Sequence, residues 1–159
     1  MKDRGFSLIE TVVVVVLLSL AVALVAPSLS KFSRSVELKV AAKKVSGFLR
    51  YYRSEAVNKG EVFQVLFDPD LRVVKVQRLE STEEKGEGKP PQTIYSLPQG
   101  VHLKEIKVES PQYTSDLPTV EFYPNGGSNG GTILLDSEDR RGYRIRIHFL
   151  TGMVEIESV

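Results

Sequence analysis

The hydrophobic pattern changes character near residue 27. Residues 6–26 form an almost unbroken apolar run of 21 residues, which is long enough for a transmembrane helix. Pro27 removes one backbone donor and predicts a local helix kink. Across 28–59, apolar residues recur every three or four positions, which predicts an amphipathic helix that packs on a sheet. The predicted apolar stripe consists of Leu29, Phe32, Val36, Val40, Val45, Phe48, Leu49, Tyr52 and Ala56. Gly60 is expected to end this helix in a left-handed conformation.

Alternating apolar and polar residues predict strands in the remainder of the chain. These strands cover residues 61–67, 71–79, 101–108, 119–123, 132–136, 143–150 and 153–156. Asp68-Pro69-Asp70 predicts a hairpin turn, and Thr151-Gly152 predicts the last tight turn. Residues 80–92 are rich in Glu, Lys, Gly and Pro and are expected to form a mobile loop. The pattern therefore predicts an α+β protein, with a long N-terminal helix packed on a C-terminal antiparallel β-sheet domain.

One carboxylate, Glu10, interrupts the apolar run. A charged side chain at the centre of a bilayer costs about 2.5–3.5 kcal/mol on insertion scales, so such a residue indicates a function. Phe6 and Glu10 are separated by about 6 Å of helix rise. A neighbouring helix shifted by about one turn can therefore place a terminal amine against this carboxylate. Such a pair favours a defined stagger between packed helices.

The segment from Gly5 to Glu10, preceded by a short charged leader, resembles the class III signal of type IV pilins and type II secretion pseudopilins. The resemblance implies that a prepilin peptidase cleaves between Gly5 and Phe6 and methylates Phe6. It implies that residues 1–5 are a leader and that 6–27 are retained as a transmembrane helix. It also implies that Glu10 pairs with the terminal amine of a neighbouring subunit. Pro27 matches the proline of many pilins.

The C-terminal part resembles the GspH/FimT domain of minor pseudopilins. The matching segments are 53–60, 120–126, 132–135, 143–147 and 151–156. The resemblance implies a GspH-like β-rich globular domain at 60–159. It implies a non-enzymatic subunit of the periplasmic pseudopilus of a type II secretion system. The implied partners are other pseudopilins or pilins in a filament, the prepilin peptidase, the inner membrane and secreted cargo. The implied location is the inner membrane, with a single span and a periplasmic globular domain.

Two other interpretations of the N-terminus remain open. Lys2 and Arg4 with Ala21-Val22-Ala23 are also typical of a cleaved secretory signal, which predicts an exported enzyme starting near Leu24. Glu10 argues against that interpretation because it interrupts the apolar region. A plain membrane anchor with an incidental glutamate is the other alternative.

A basic cluster supports a different function, DNA binding by a FimT-like minor type IV pilin in natural transformation. Its members are Arg140, Arg141, Arg144 and Arg146. Arg144 and Arg146 alternate with isoleucines, so they share one strand face and can meet phosphates. The acidic tail 155–159 departs from the basic C-terminus of FimT-like proteins, and the net charge is only +1. Nucleic acid is therefore not the expected partner.

The remaining candidates for chemistry are weak, and no cofactor or metal is expected. The chain has no cysteine, which excludes disulfides and thiolate metal sites. His102 and His148 lie in predicted strands without a matched partner. The glycine-rich segment 125–131 lacks the Lys-Ser/Thr ending of a phosphate-binding loop, so a flexible strand connection is expected. Two acidic groups lack the spacing of a calcium loop: Asp68 with Asp70, and Asp136 with Glu138 and Asp139.

Overall fold

A helix precedes all the strands of the chain. The computed structural model describes residues 7–79, 91–109, 115–137 and 142–159, without the side chains of 24–34. The elements in chain order are α1 Leu8–Lys59, β1 Val62–Asp68, β2 Val73–Leu79, β3 Gln92–Ser96, β4 Val101–Val108, β5 Thr119–Phe122, β6 Gly131–Ser137, β7 Gly142–Ile147 and β8 Val154–Ser158. The chain divides into two compact units, Met1–Arg34 and Ser35–Val159.

The first unit contains the N-terminal part of α1. Its described large apolar side chains are exposed. Two hydroxyls on this stretch are satisfied by the helix itself, because Thr11 and Ser19 donate to the carbonyls of Ser7 and Val15. None of the helical segments in the described residues combines the length and apolar character needed to cross a membrane.

In the second unit, the last part of α1 buries one stripe against the strands. The buried side chains are Leu38, Ala41, Ala42, Val45, Leu49 and Ala56, with Phe48 and Tyr52 partly buried. The predicted stripe is wrong at Val36 and Val40, which are each 44% exposed. Ala41 and Ala42 belong to the buried stripe, although the predicted stripe did not include them.

The helix ends as the sequence predicts. Gly60 has φ +67°, and the Glu61 amide donates to the carbonyl of Ala56. This 6→1 hydrogen bond with a left-handed glycine is the Schellman arrangement, which satisfies a carbonyl that the helix leaves free. The chain therefore turns sharply from α1 into β1.

The described strands form two antiparallel four-stranded sheets. Their strand orders are β3-β2-β1-β5 and β4-β6-β7-β8. The α+β class is confirmed, and the division into two sheets is a feature that the strand pattern does not reveal. β1 lies inside its sheet and is buried along its whole length. The common core joins α1 to apolar residues of both sheets, including Phe67, Phe122, Ile133 and Ile145.

β3 is a strand that the sequence pattern missed. It begins at Gln92, the last residue of the predicted mobile loop, and pairs with β2. Tyr95 holds it to the helix, because its ring lies 5.9 Å from that of Phe48 and 5.3 Å from the Lys44 ammonium. Residues 80–90 of the predicted loop lie outside the described residues.

The turn between β1 and β2 is organised by Asp68. Its carboxylate accepts hydrogen bonds from the Leu71 amide at 3.0 Å and from the Lys75 ammonium at 2.9 Å. These donors favour the ionised form, the amide most strongly, and hold the pKa of Asp68 below its ordinary value. The ionised carboxylate of Asp68 therefore stabilises the turn.

Asp68→Asn is expected to reduce the loss of stability that occurs as the pH falls into the acid range. Since the folded-state pKa is depressed, the stabilisation by Asp68 is present above the unfolded pKa of about 3.9 and is lost as pH falls through the lower folded value. The variant should melt below the wild type at pH 7, and the difference between the two melting temperatures should shrink as the pH falls to 2.5. Thermal unfolding between these pH values measures this, with Asp70→Asn as the control because Asp70 is exposed. Parallel curves for wild type and Asp68→Asn would contradict the assignment.

Candidate functional site

The N-terminal candidates are only partly visible in the structure. Glu10 lies exposed in the first turn of α1, and its amide donates to the Ser7 carbonyl at 3.0 Å. Pro27 lies within α1, and its side chain is among those that the structure does not describe. Gly5 and Phe6 lie outside the described residues. The cleavage site, the kink and the role of Glu10 therefore stay predictions.

The arginine cluster faces acidic neighbours. Arg144 and Arg146 share one face of β7, and their cross-strand partners on β8 are Glu157 and Glu155. Arg146 also lies 3.6 Å from the Glu157 carboxylate. Arg140 and Arg141 lie outside the described residues. The described half of the cluster is thus a mixed-charge strand face, and this arrangement does not favour phosphate binding.

In the described part of the chain, the histidines and acidic residues do not converge on a metal site. His102 is exposed on β4 opposite Asp136, which lies 3.3 Å from the Lys104 ammonium. His148 is exposed and follows β7, so its prediction as a strand residue is wrong. Glu138 and Asp139 lie outside the description. Among the described residues, no three His, Asp or Glu side chains are grouped as metal ligands.

The glycine-rich segment is a packed structural loop. Residues 126–130 are all buried. Asn125 Oδ1 accepts from the Gly127 amide at 2.9 Å, and Ser128 Oγ accepts from the Gly130 amide at 2.8 Å. The segment connects β5 to β6 as predicted, but its burial and hydrogen bonds argue against the predicted flexibility. Polar side chains fold this loop by bonding its own backbone, and a hydrophobicity pattern does not record such bonds.

Asn129 joins this loop to β5 and to the end of β4. Its side chain is only 3% exposed. Its Oδ1 accepts from the Glu121 amide at 2.8 Å, and its Nδ2 donates to the carbonyls of Glu109 and Thr119 at 3.0 Å. The side chain of Asn129 therefore links β5 to the end of β4, two segments that belong to different sheets and do not pair with each other.

β5 also carries a buried carboxylate, that of Glu121. Glu121 is fully buried and accepts from the Gln64 amide group and from the Tyr123 hydroxyl, both at 2.9 Å. Buried polar groups are tolerated when they are hydrogen-bonded, so this cluster fixes the register of β1 against β5.

The end of α1 is fastened to two loops by Arg53. Its Nε donates to the carbonyl of Gly126 at 3.2 Å and to that of Thr151 at 2.8 Å. The space beside Arg53 at Gly152 admits no side chain. A Cβ there would lie 2.6 Å from the Gly126 carbonyl oxygen and 3.0 Å from Arg53. The sequence predicted the Thr151-Gly152 turn but not this contact.

Arg50 lies one helical turn before Arg53 and bonds to the start of β8. Its Nε and Nη2 donate to the Val154 carbonyl at 3.3 and 2.9 Å. The two arginines help to line an open cavity of about 400 Å³, together with Ser54, Met153 and Val154. Phe149, Leu150 and Met153, in and beside the β7–β8 turn, are 54%, 74% and 55% exposed. We call these residues, with the cavity, the Arg50 surface.

Sequence reasoning missed the Arg50 surface because it considered only the apolar stripe of the helix, which contains neither Arg50 nor Arg53. One signal was available. Neither arginine has an Asp or Glu three or four residues away on the helix, where a neutralising partner would lie. Each arginine bonds to a residue about 100 positions away in the sequence. A local sequence pattern cannot show a contact over that separation.

Comparison with known families gives two matches. Residues 41–151 match the family model described as type II transport protein GspH. Residues 1–26 match the prokaryotic N-terminal methylation motif. A curated relative, the type II secretion system protein H of Xanthomonas campestris pv. campestris, is 30% identical over 151 residues, covering 95% of this chain and 81% of the relative.

Solved structures share the fold. The minor pseudopilin EpsH from the type 2 secretion system of Vibrio cholerae superposes with a TM-score of 0.59 at 18% identity, over 77% of this chain and 97% of that one. The type IV minor pilin FimU of Pseudomonas aeruginosa gives a TM-score of 0.54 at 18% identity, over 79% of this chain and 92% of that one.

Proposed function

Because this chain belongs to the family of the type II transport protein GspH and is a minor pseudopilin of type II secretion, we propose that it is anchored and assembled as a structural filament subunit. The observation that carries the proposal is the presence of both family features in one chain. An N-terminal methylation motif precedes a GspH-type domain. The protein then acts mechanically and by recognition, through its helix and its sheets.

The N-terminal segment supplies the anchor in this proposal. A prepilin peptidase removes residues 1–5 and methylates Phe6, and 6–27 hold the subunit in the inner membrane as a single span. Residues 28–59 continue as the amphipathic helix, and 60–159 form the globular domain in the periplasm. The exposed apolar side chains of the first unit support this assignment, since a run of about 20 apolar residues suits a bilayer.

Processing is tested by mass spectrometry of the N-terminus of the protein isolated from membranes. The proposal predicts an N-methylated Phe6 as the first residue. An N-terminus near Leu24 would identify a cleaved secretory signal and overturn the anchor. An unprocessed Met1 in a strain with an active prepilin peptidase would also overturn it.

Assembly depends on Glu10 in this proposal. Glu10→Ala should reduce the amount of the subunit in the pseudopilus by at least about tenfold. Loss of one partner of a pair in a low-dielectric site leaves an uncompensated charge, which costs about 3–5 kcal/mol. Cross-linking of intact cells and quantitative mass spectrometry of the isolated filament measure the change.

Thr11→Ala is the matched control for Glu10→Ala. It removes a neighbouring polar side chain whose hydroxyl donates to the Ser7 carbonyl of its own helix. We expect wild-type incorporation for this variant. Wild-type incorporation of Glu10→Ala as well would remove Glu10 from the assembly mechanism. The same cross-links report contacts with neighbouring pseudopilins and with secreted cargo.

A further inference from the structure

Two arginines of the Arg50 surface have no carboxylate partner among the residues that the structure describes. Within the described ranges, neither Arg50 nor Arg53 makes an ion pair, and both contribute to the wall of the cavity. Other cations of this domain do have anionic neighbours, as Lys75 has Asp68, Lys104 has Asp136 and Arg146 has Glu157. The Arg50 surface therefore carries a local excess of positive charge.

Backbone carbonyl groups hold both guanidinium groups in place. Arg53 uses its Nε for two carbonyl acceptors, and Arg50 uses Nε and one Nη2 hydrogen for the Val154 carbonyl. An arginine has five N–H donors, so terminal donors remain on both residues. Side chains that are already ordered lose less entropy on binding, and a guanidinium fork suits the two oxygens of a carboxylate.

Exposed apolar side chains lie on the same hairpin, and one of them, Met153, lines the cavity together with the two arginines. Phe149, Leu150 and Met153 are large and more than half exposed, although they lie in or next to a tight turn, where polar residues are usual. Exposed apolar residues grouped with arginine are typical of protein interfaces. A nucleic-acid phosphate would use the arginines but would leave the three apolar side chains in water.

We propose that the Arg50 surface docks a carboxylate side chain of a neighbouring filament subunit, with an apolar residue of that subunit lying against Phe149, Leu150 and Met153. This inference rests on the proposed function, because it takes the occupant to be another pseudopilin. The carboxylate bridges the free donors of Arg50 and Arg53. The end of the helix and the last hairpin thereby form one recognition surface.

A photo-cross-linking amino acid at position 153 of the full-length chain, expressed in cells with the intact secretion system, tests this directly. The expected product is a cross-link to a peptide of another pseudopilin that contains Asp or Glu close to an apolar residue. Arg50→Glu should lower the yield of that product by roughly tenfold, the equivalent of one charge-assisted hydrogen bond. A cross-linked nucleotide, a peptide without a carboxylate, or a yield insensitive to Arg50→Glu would overturn the proposal.

Lys104→Glu is the matched control. It makes the same change of charge on β4, at the opposite edge of the sheet that contains β8, and should leave the yield unchanged. Arg50→Gln keeps a donor for the Val154 carbonyl without the charge, and it separates loss of docking from loss of folding. Reversal of the identified partner carboxylate to Arg should restore the cross-link with Arg50→Glu. A failure to restore it would contradict direct pairing.

The same cells report separately on the proposed function. A subunit that has an N-methylated Phe6 and is present in the filament, but gives no cross-link from position 153, would reject the docking surface and keep the filament role. A subunit that is neither processed nor incorporated would reject the filament role itself.

Discussion

Replacement of Gly152 by alanine is expected to lower the free energy of unfolding by about 3 kcal/mol or more. The residue has φ +58°, a conformation that costs an alanine about 1–2 kcal/mol. The added Cβ would also lie 2.6 Å from the Gly126 carbonyl oxygen and 3.0 Å from Arg53. Relief of that overlap requires movement of packed backbone, which costs about 1–3 kcal/mol more. Urea unfolding of the full-length chain in mild detergent measures the total.

Gly60→Ala separates the two contributions. Gly60 has a similar φ of +67°, but a Cβ built there meets nothing within 4 Å. We therefore expect a loss of about 1–2 kcal/mol, from backbone strain alone. Equal losses for the two variants would show that the contact of Arg53 with Gly126 does not restrict position 152.

Asn129→Ala is expected to destabilise the globular unit by about 3 kcal/mol. The substitution removes three hydrogen bonds and leaves the Glu121 amide and the carbonyls of Glu109 and Thr119 without this partner. A buried polar group that loses its partner costs about 1–3 kcal/mol. Urea unfolding followed by circular dichroism gives the change, and hydrogen exchange at the Glu121 amide should accelerate.

Asn125→Ala is the control within the same loop. Asn125 is exposed, and its side chain accepts one hydrogen bond, from the Gly127 amide. Water can replace that bond, so the expected loss is below about 1 kcal/mol. A loss as large as that of Asn129→Ala would mean that the loop matters as a whole and that Asn129 has no special role.

Elements bounded by local chemistry could be predicted from the sequence. The end of α1 at Gly60, the turn at Asp68 and the turn at Gly152 were each predicted from glycine or aspartate next to a periodic segment. These residues act within a few positions of themselves, through a positive φ or a side chain that bonds the nearby backbone. A single sequence contains such information directly.

The buried face of the helix was predicted less well. Periodicity predicts one apolar stripe, but two of its members, Val36 and Val40, are each 44% exposed. Ala41 and Ala42 are fully buried, yet neither belongs to the predicted stripe. Which residues of the helix are buried is a property of the assembled domain and cannot be inferred from hydrophobicity alone.

Features that depend on tertiary contacts were missed. β3 is mostly exposed at a sheet edge, so it has little alternation to detect, and its pairing with β2 defines it. The Arg50 surface likewise requires the last hairpin to lie beside the helix. Glu10 was recognised because a carboxylate in an apolar run is anomalous by itself, whereas an arginine on a helix is ordinary until its surroundings are known.

The contacts of Arg50 and Arg53 also set an order for folding. The arginines belong to the first third of the chain, while two of their carbonyl acceptors, at Thr151 and Val154, belong to its last nine residues. Contacts so far apart in sequence close large loops and form slowly. The helix can form early by local hydrogen bonding, but its last turns become fixed only when the final hairpin is in place. We therefore expect the end of α1 to become fixed in the domain late, after the hairpin of β7 and β8 has formed.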